Sequence, residues 1–355
     1  MTIAKSLLHQ MTLEYPTEFW NDGCEVNSLR NAIEHGATGA TSNPVIVLEA
    51  IKTDEPRWFD TIVKLCKTHP TEGEHQIAWR LVAQAACDGA DLLRPVFDKS
   101  QGKHGRLCVQ VNPRFYRNSN DMISHALELS ALRPNMAIKI PAVAAGIAAI
   151  EELTAQGVVI NATVLFTLSQ ALTVAQAIER GLEKAQIRGI DISAVTPWVT
   201  IMVGRLDDHL RDIVKERDIK IDPENIRQAS TAVMRKAYRL FQKRGYKTTL
   251  LSAAMRSYHH WSEFVGGNLV ITIPPAWQNK FNNSGITLRS RIDDFVDDRV
   301  IDELSNKLPD FVCAYEEKGL SSEQFVSFGA SRKTLHQFLD GYDQLLLFVR
   351  QIMLR

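Results

Sequence analysis

Short runs of apolar and β-branched residues alternate along the chain with longer segments of helical periodicity. This alternation is typical of a parallel α/β sheet, in which a helix follows each strand and returns the chain to the same edge. We predict eight strands, at residues 18–22, 39–42, 106–111, 136–140, 158–162, 194–203, 248–253 and 269–273. We predict helices between them, at residues 26–35, 76–87, 121–132, 143–156, 169–184, 207–216, 224–245 and 258–265.

The chain has 355 residues. That length fits two domains of about 100–200 residues each or one closed α/β barrel. Eight strands, with no glycine-rich phosphate fingerprint after the first and no Pro/Gly/Ser-rich linker, favour a (β/α)8 TIM barrel over a doubly wound sheet. Apolar residues then recur at helical spacing from Leu335 to Val349. We expect a single barrel domain over residues 1–355 with a C-terminal helical extension at about 290–355; a small separate helical domain is the alternative.

The charge balance excludes one class of partner. Lysine plus arginine and aspartate plus glutamate each number 41, so the formal net charge is zero, which argues against nucleic acid or a membrane as a partner. The five cysteines are scattered without a Cys-x-x-Cys pair, which is typical of reduced thiols in a cytoplasmic protein. Residues 1–10 lack the pattern of a signal peptide. Residues 153–178 are uncharged, but their Thr, Asn and Gln indicate two buried elements of a soluble core.

Two groups of histidine and cysteine side chains resemble metal or catalytic sites, but their spacing does not support either role. Cys66, His69 and His75 fall on a predicted helix and loop and lack a fourth partner at zinc-ligand spacing. The adjacent His259 and His260 point to opposite sides of any regular element, so we interpret them as surface or packing residues. We therefore predict no metal site.

Polar side chains occur at the carboxyl ends of the predicted strands, where the active sites of closed barrels lie. In chain order they are Asp22, Ser42, Asn43, Gln110, Asn112, Lys139, Asn161, Thr163, Thr200, Arg205 and Arg256. Inward positions of a packed barrel are usually Val, Ile or Leu, so this convergence of polar groups on one rim indicates a functional site.

Lys139 is the most informative of these residues. It lies between Ile138 and Ile140 on a strand that we expect to be buried on both faces. Burial favours the neutral form of an amine and lowers its pKa, which makes the amine a nucleophile toward a carbonyl. A Schiff-base lysine is one interpretation, and a structural lysine paired with Asp22 across the barrel is the other.

Five parts of the sequence resemble transaldolases, in the order in which that family carries them. They read Ala-Thr-Ser-Asn-Pro-Val-Ile at 40–46, Ala-Ile-Lys-Ile-Pro at 137–141 with Gly-Ile-Ala-Ala-Ile at 146–150, Ile-Asn-Ala-Thr-Val-Leu-Phe-Thr-Leu-Ser-Gln-Ala at 160–171, Val-Gly-Arg-Leu-Asp-Asp at 203–208 and Ser-Ala-Ala-Met-Arg at 252–256. The resemblance implies transfer of a dihydroxyacetone unit from a ketose phosphate to an aldose phosphate, as in the pentose phosphate pathway. It implies sugar phosphates as partners and no metal or organic cofactor, and it leaves a homo-oligomer open.

By the same resemblance, Lys139 forms the Schiff base and Asp22 exchanges the proton of the C4 hydroxyl. Thr163 positions the catalytic water together with the residue at position 110. The implied substrate-binding residues are Asn43, Asn161, Thr200, Arg205 and Arg256. The two arginines are the implied phosphate ligands, a task that suits the planar guanidinium group.

Most of these roles have a structural alternative. Asp22 would instead cap a helix that begins near Glu25, and Asn43 would occupy a turn or a helix cap before the following proline. Arg205 would form an ion pair with one of the two aspartates that follow it. Thr200 would be a packing residue of its strand.

Three positions depart from the family pattern. Gln110 stands where transaldolases usually carry a glutamate, and a glutamine orients water without exchanging a proton; fructose-6-phosphate aldolases resemble the chain here. Met202 lies where transaldolases have Phe and those aldolases have Tyr. Ala254 replaces a serine that assists phosphate binding, a loss of about 1 kcal/mol. Two alternatives to transaldolase activity follow: a lyase that releases free dihydroxyacetone, and a sugar-phosphate-binding protein without catalysis.

Overall fold

The computed structural model describes residues 4–355. Eight parallel strands form a closed barrel, in which each strand pairs with the next in sequence and the last pairs with the first. The strands are β1 (Glu18–Asp22), β2 (Gly39–Thr41), β3 (Arg106–Gln110), β4 (Met136–Pro141), β5 (Ile160–Leu165), β6 (Trp198–Ile201), β7 (Thr249–Ser252) and β8 (Val270–Ile273). The predicted (β/α)8 barrel is confirmed.

Helices surround this barrel and follow its last strand. Those before β5 are α1 (Leu7–Glu14), α2 (Val26–Glu34), α3 (Pro44–Thr53), α4 (Glu55–Thr68), α5 (Glu74–Lys99), a short 3-10 helix (Pro113–Phe115), α6 (Ser119–Ser130) and α7 (Ala144–Ala155). The later ones are α8 (Leu168–Ile187), α9 (Val203–Glu216), α10 (Pro223–Arg244), α11 (His259–Ser262), α12 (Pro275–Asn282), α13 (Asp298–Lys307), α14 (Pro309–Tyr315) and α15 (Gly329–Met353).

All eight predicted strands are present, and the differences lie at their ends. β5 runs from Ile160 to Leu165 instead of over 158–162, and β6 covers only four residues of the predicted 194–203. The pairing between these two strands shifts register between Ala162 and Leu165, where Val164 has a φ of 55°. Apolar composition locates a buried strand but does not locate such an irregularity.

The helix predictions need several corrections. α11 spans four residues and not 258–265, because the chain leaves the helix for turns and reaches Gly266 at a φ of 93°. Helices α1, α3 and α12 are not among the predicted ones, and α4 is predicted only as a helix around Cys66 without bounds. α5 runs over Glu74–Lys99 instead of 76–87. α3 buries five of its ten residues and has a mostly apolar sequence, so it lacks the polar face that a periodic pattern requires.

The predicted C-terminal helices are present as α13, α14 and α15, and α15 packs against α3, α4, α5 and α9. Gly341 permits the close crossing with α3, since a Cβ at this position would lie 2.4 Å from Cγ2 of Val45. The C-terminal helix therefore lies against elements that carry site residues. The single-domain interpretation of the whole chain stays a prediction.

The uncharged segment 153–178 contains the end of α7, all of β5 and the first half of α8. None of the helices within residues 4–355 is long and apolar enough to cross a membrane. The five cysteines all lie within residues 4–355, and each is a free thiol. In the part of the chain that the structure describes, no three His, Cys, Asp or Glu side chains are grouped so as to hold a metal ion.

Candidate active site

A cavity of about 280 Å³ opens at the carboxyl ends of the strands. Its wall is formed by Asp22, Thr41, Asn43, Val45, Ile46, Glu49, Lys139, Thr163, Thr200, Met202, Arg205, Ala253, Ala254, Arg256, Thr272 and Pro274. The strand-end rule therefore located seven residues that share one cavity: Asp22, Asn43, Lys139, Thr163, Thr200, Arg205 and Arg256. The other two predicted site residues, Gln110 and Asn161, are buried beside Lys139 in the sheet and do not line the cavity.

Lys139 reaches the cavity from β4 and is only 6% exposed. Its Nζ donates a hydrogen bond of 3.1 Å to the carbonyl oxygen of Ser42, a neutral partner. Burial lowers the pKa of Lys139, and the positive charge of Arg205 lowers it further, while Asp22 opposes the shift. The free amine is thus favoured relative to an exposed lysine, as nucleophilic attack requires.

Asp22 ends β1 and lines the same cavity. Its Oδ1 accepts a hydrogen bond of 2.7 Å from Oγ1 of Thr41, and that hydroxyl lies 2.8 Å from Oγ1 of Thr272. The helix-cap alternative for Asp22 is wrong: the cap is Glu25, whose carboxylate accepts from the first amides of α2. Asp22 is therefore held by Thr41, whose hydroxyl also contacts Thr272. The strand-end analysis does not single out either threonine; alternation along β2 and β8 is the available signal.

Gln110 and Asn161 flank Lys139 in the sheet register. Nδ2 of Asn161 donates to Sγ of Cys108 at 3.3 Å, and its Oδ1 accepts from Oγ1 of Thr200 at 2.6 Å. Burial raises the pKa of the Cys108 thiol to about 11, so that thiol stays neutral. Oδ1 of Asn161 thus fixes the hydroxyl of Thr200, which is more than a packing residue. Oε1 of Gln110 is buried and has no hydrogen-bond partner within residues 4–355.

Thr163 and Met202 face each other across β5 and the start of α9. Oγ1 of Thr163 lies 4.0 Å from Sδ of Met202, a weak acceptor. Both side chains are buried and line the cavity. The Thr163 hydroxyl therefore lacks a strong protein acceptor at this contact and is available to a water or a substrate oxygen.

Asn43 is a helix cap, as its structural alternative predicts, and it also lines the cavity. It is the N-cap of α3, and its Oδ1 accepts a hydrogen bond of 3.0 Å from the amide of Ile46. Pro44 follows at the first helical position, where a missing amide proton costs nothing. The cap fixes Asn43 at the mouth of the barrel.

Arg205 and Arg256 line the same cavity as Asp22 and Lys139. Burial lowers the pKa of Arg205, and the like charge of Arg256 adds to this shift. Nη1 of Arg205 hydrogen-bonds to Oε1 of Gln337 and lies 3.4 Å from Oγ1 of Thr334. The guanidinium group also lies over the ring of Phe338, 5.5 Å from its centroid.

The proposed ion pair of Arg205 with Asp207 or Asp208 is wrong. Asp208 pairs instead with Arg256, whose Nε donates to Oδ2 at 2.8 Å. Asp207 faces the interior and pairs with His260, because the register of α9 points the two neighbouring aspartates in different directions. Of the two interpretations of His260, a surface residue is wrong and a packing residue is incomplete, because His260 is fully buried and makes this polar contact.

We name two parts of the site for use below. The lysine end consists of Asp22, Thr41, Lys139, Thr163 and Thr272. The arginine end consists of Arg205, Arg256, Thr334 and Gln337. A nucleophilic amine with a carboxylate at one end and paired guanidinium groups at the other suits a carbonyl compound with an anionic terminus.

The family model described as transaldolase/fructose-6-phosphate aldolase matches residues 19–345, which include both ends of the site. The chain belongs to this family. Transaldolase 2 of Streptomyces avermitilis is 37% identical over 174 residues, 48% of this chain and 46% of the relative. A transaldolase of Parafrankia sp. is 36% identical over 211 residues, 58% of this chain and 55% of the relative.

A transaldolase of Trichodesmium erythraeum matches over a longer segment, with 25% identity across 282 residues, 71% of this chain and 73% of the relative. The chain spans about half the length of the Streptomyces and Parafrankia relatives that it matches. As a member of the transaldolase/fructose-6-phosphate aldolase family, the chain has the closed barrel and the strand-end cavity described above.

Proposed function

We propose that the protein transfers a dihydroxyacetone unit from a ketose phosphate to an aldose phosphate through a Schiff base on Lys139. The observation that carries the proposal is a buried amine of lowered pKa in one cavity with Asp22 and with Arg205 and Arg256. The transaldolases of Streptomyces and Parafrankia support the same reaction class. We place the reaction in the pentose phosphate pathway and in the cytoplasm.

The first steps use Lys139 and Asp22. Nζ of Lys139 adds to the C2 carbonyl of the ketose, and loss of water gives an iminium ion. The Asp22 carboxylate then takes the proton of the C4 hydroxyl, the C3–C4 bond breaks, and its electron pair moves to the iminium nitrogen. The shortened aldose leaves, and a three-carbon enamine stays on Lys139.

The transfer then reverses these steps on a second aldose. The enamine C3 attacks the acceptor aldehyde, and the proton held by Asp22 passes to the new alkoxide. Water adds to the resulting iminium ion and releases the product ketose from Lys139. Thr163, with its weak contact to Met202, is the hydroxyl that we assign to orient this water.

The enamine can react with an acceptor aldehyde, which is transfer, or with a proton, which leads to release. Proton transfer to C3 followed by hydrolysis would release free dihydroxyacetone, which is the lyase reaction. Met202 borders the cavity next to Thr163, and its thioether has no proton to donate. Met202 therefore cannot protonate the enamine, which favours transfer over release. Gln110 favours the lyase, since it resembles the aldolases, and the lyase is therefore the second candidate.

Borohydride trapping tests the Schiff base. Reduction of the protein in the presence of fructose 6-phosphate should fix a three-carbon adduct on Lys139, located by mass spectrometry of proteolytic peptides. Lys139→Met should show no adduct, and the exposed Lys99→Met should match the unmodified protein. An adduct elsewhere, or no adduct on the unmodified protein, would contradict the proposal.

Product analysis separates the two reactions. A transferase exposed to the donor alone should release one equivalent of aldose per site and then stop, whereas a lyase should continue and accumulate free dihydroxyacetone. Addition of an aldose phosphate acceptor should restart the transferase. A protein that binds sugar phosphate without reaction would release no aldose, and Lys139→Ala would leave its affinity unchanged.

A further inference from the structure

The residues behind Arg256 form a connected polar set. His260 is fully buried, and its Nδ1 accepts a hydrogen bond of 3.0 Å from the backbone amide of Arg256. Because Nδ1 accepts, the ring proton lies on Nε2, which donates to Oδ2 of Asp207 at 2.7 Å. Asp207 in turn accepts from the amide of Ser230 at 3.2 Å on its other oxygen. The backbone of Arg256 is thereby tied to the interior of α9.

The side chain of Arg256 is tied to the same helix. Its Nε donates to Oδ2 of Asp208 at 2.8 Å, and its Nη1 donates to the carbonyl of Met255 at 2.9 Å. Oδ1 of Asp208 accepts from Arg211 at 2.6 Å, so the carboxylate is itself held on the helix. Nη2 of Arg256 has no hydrogen-bond partner among residues 4–355.

The chain around Arg256 needs such support because it is irregular. It follows β7 as a loop, and Ala254 within it has a φ of 67°, a conformation that is uncommon for alanine. Gly204 at the start of α9 packs directly on this loop, since a Cβ there would lie 1.8 Å from the carbonyl oxygen of Ala254. Hydrogen bonds to α9, and not sheet pairing, therefore set the position of Arg256.

We propose that Asp207, Asp208 and His260 are positioning residues that hold Arg256 beside Arg205, so that both guanidinium groups converge on one anionic terminus of the substrate. Helix α9 carries Arg205 and both aspartates, and it thus aligns the two arginines as one unit. This inference rests on the proposed function, because it assigns the arginines to substrate binding. The inference also concerns substrate specificity. Asp207, Asp208 and His260 govern the affinity for a phosphorylated terminus and do not affect the chemistry at Lys139.

The test compares a phosphorylated donor with an unphosphorylated one. In Asp208→Asn and His260→Leu we expect KM for fructose 6-phosphate to rise about 10-fold, the effect of one charge-assisted hydrogen bond. We expect kcat/KM for fructose, which lacks the anion, to stay within about 2-fold of the unmodified protein. His260→Asn retains an acceptor near the position of Nδ1 and should recover part of the loss, which a purely structural role would not produce.

Two further measurements keep the inference falsifiable. Binding of inorganic phosphate, followed by titration calorimetry, should weaken by the same factor in both variants and stay unchanged in His259→Asn, a partly exposed neighbour. Asp208 is partly exposed, so its variant tests the inference even if His260 variants unfold. Equal losses for both donors, or unchanged phosphate binding in Asp208→Asn, would overturn it. Absence of trapping on Lys139 would instead overturn the proposed function, and phosphate binding would still decide this inference.

Discussion

The lysine end and the arginine end of the cavity are built from different parts of the fold. All five residues of the lysine end lie on strands, so sheet register fixes them: Asp22 pairs with Thr41, and Thr163 pairs with the end of β4. The arginine end is assembled from α9, the loop after β7 and α15. A barrel can therefore keep its reaction chemistry on a rigid sheet while helix packing adjusts the group that it recognises.

Replacement of Lys139 by Met should have the largest effect on activity and should leave the arginine end intact. We expect transfer to fall by about 10⁴-fold or more, as when an enzyme loses its nucleophile. Binding of inorganic phosphate at the arginine end should be unchanged, because that end has its own supports. A parallel loss of phosphate binding would show that the two ends are not independent.

Replacement of Arg205 by Ala should weaken anion binding at the arginine end. Loss of a hydrogen-bonded charge costs about 1.5–3 kcal/mol, which corresponds to a rise of about 10- to 150-fold in KM for fructose 6-phosphate. Borohydride trapping of fructose on Lys139 should persist. The matched control is Arg217→Ala at the far end of α9, an exposed residue. A loss of trapping in Arg205→Ala would contradict the separation of roles.

The two ends also differ in how far the sequence alone could predict them. Lys139, Asp22 and Thr163 follow from strand ends, because buried β-branched runs locate strands and barrel geometry brings their carboxyl ends together. Gln337 could not be found in this way, since it meets Arg205 only after α15 packs across the barrel. Tertiary contacts of this range leave no periodic trace in the sequence.

His260 illustrates the same limit at shorter range. The helix that contains it has only four residues instead of the predicted eight. The periodicity of a longer helix therefore does not give the direction of the His260 side chain. Gln110 and Asn161 show a third case: the sequence locates their strands, yet both side chains are buried beside Lys139 and do not line the cavity. Strand location fixes the level of a residue in the barrel, and packing decides what it contacts.

The pKa of Lys139 measures the coupling between the two ends. It lies below the ordinary value of 10.5, chiefly because of burial; Asp22 opposes the shift, and Arg205 lowers the pKa further. Arg205→Gln should therefore raise the pKa of Lys139, and Asp22→Asn should lower it. Competitive acetylation of Lys139 with acetic anhydride as a function of pH gives the midpoint. A midpoint near 10.5 that neither variant moves would refute this account.

The same shift predicts how stability depends on pH. Between the folded-state pKa of Lys139 and 10.5, the unfolded chain binds more protons than the folded chain. The contribution of this group therefore makes the free energy of unfolding increase as pH rises through that window and decrease as pH falls. Lys139→Met should remove this contribution, so the variant should be more stable than the unmodified protein near neutral pH. Denaturant titrations of the two proteins across the window provide the measurement.

The smallest expected effect concerns Gln337, which joins the C-terminal helix to the arginine end through its hydrogen bond to Arg205. If this bond positions the guanidinium group, Gln337→Leu should raise KM for fructose 6-phosphate by about 5-fold, the value of one hydrogen bond of about 1 kcal/mol, and leave fructose unaffected. If Gln337 instead competes with the substrate for Nη1, its removal should lower KM. Gln351→Leu, an exposed change on the same helix, is the control. The sign of the change therefore decides whether α15 supports the anion site or restrains it.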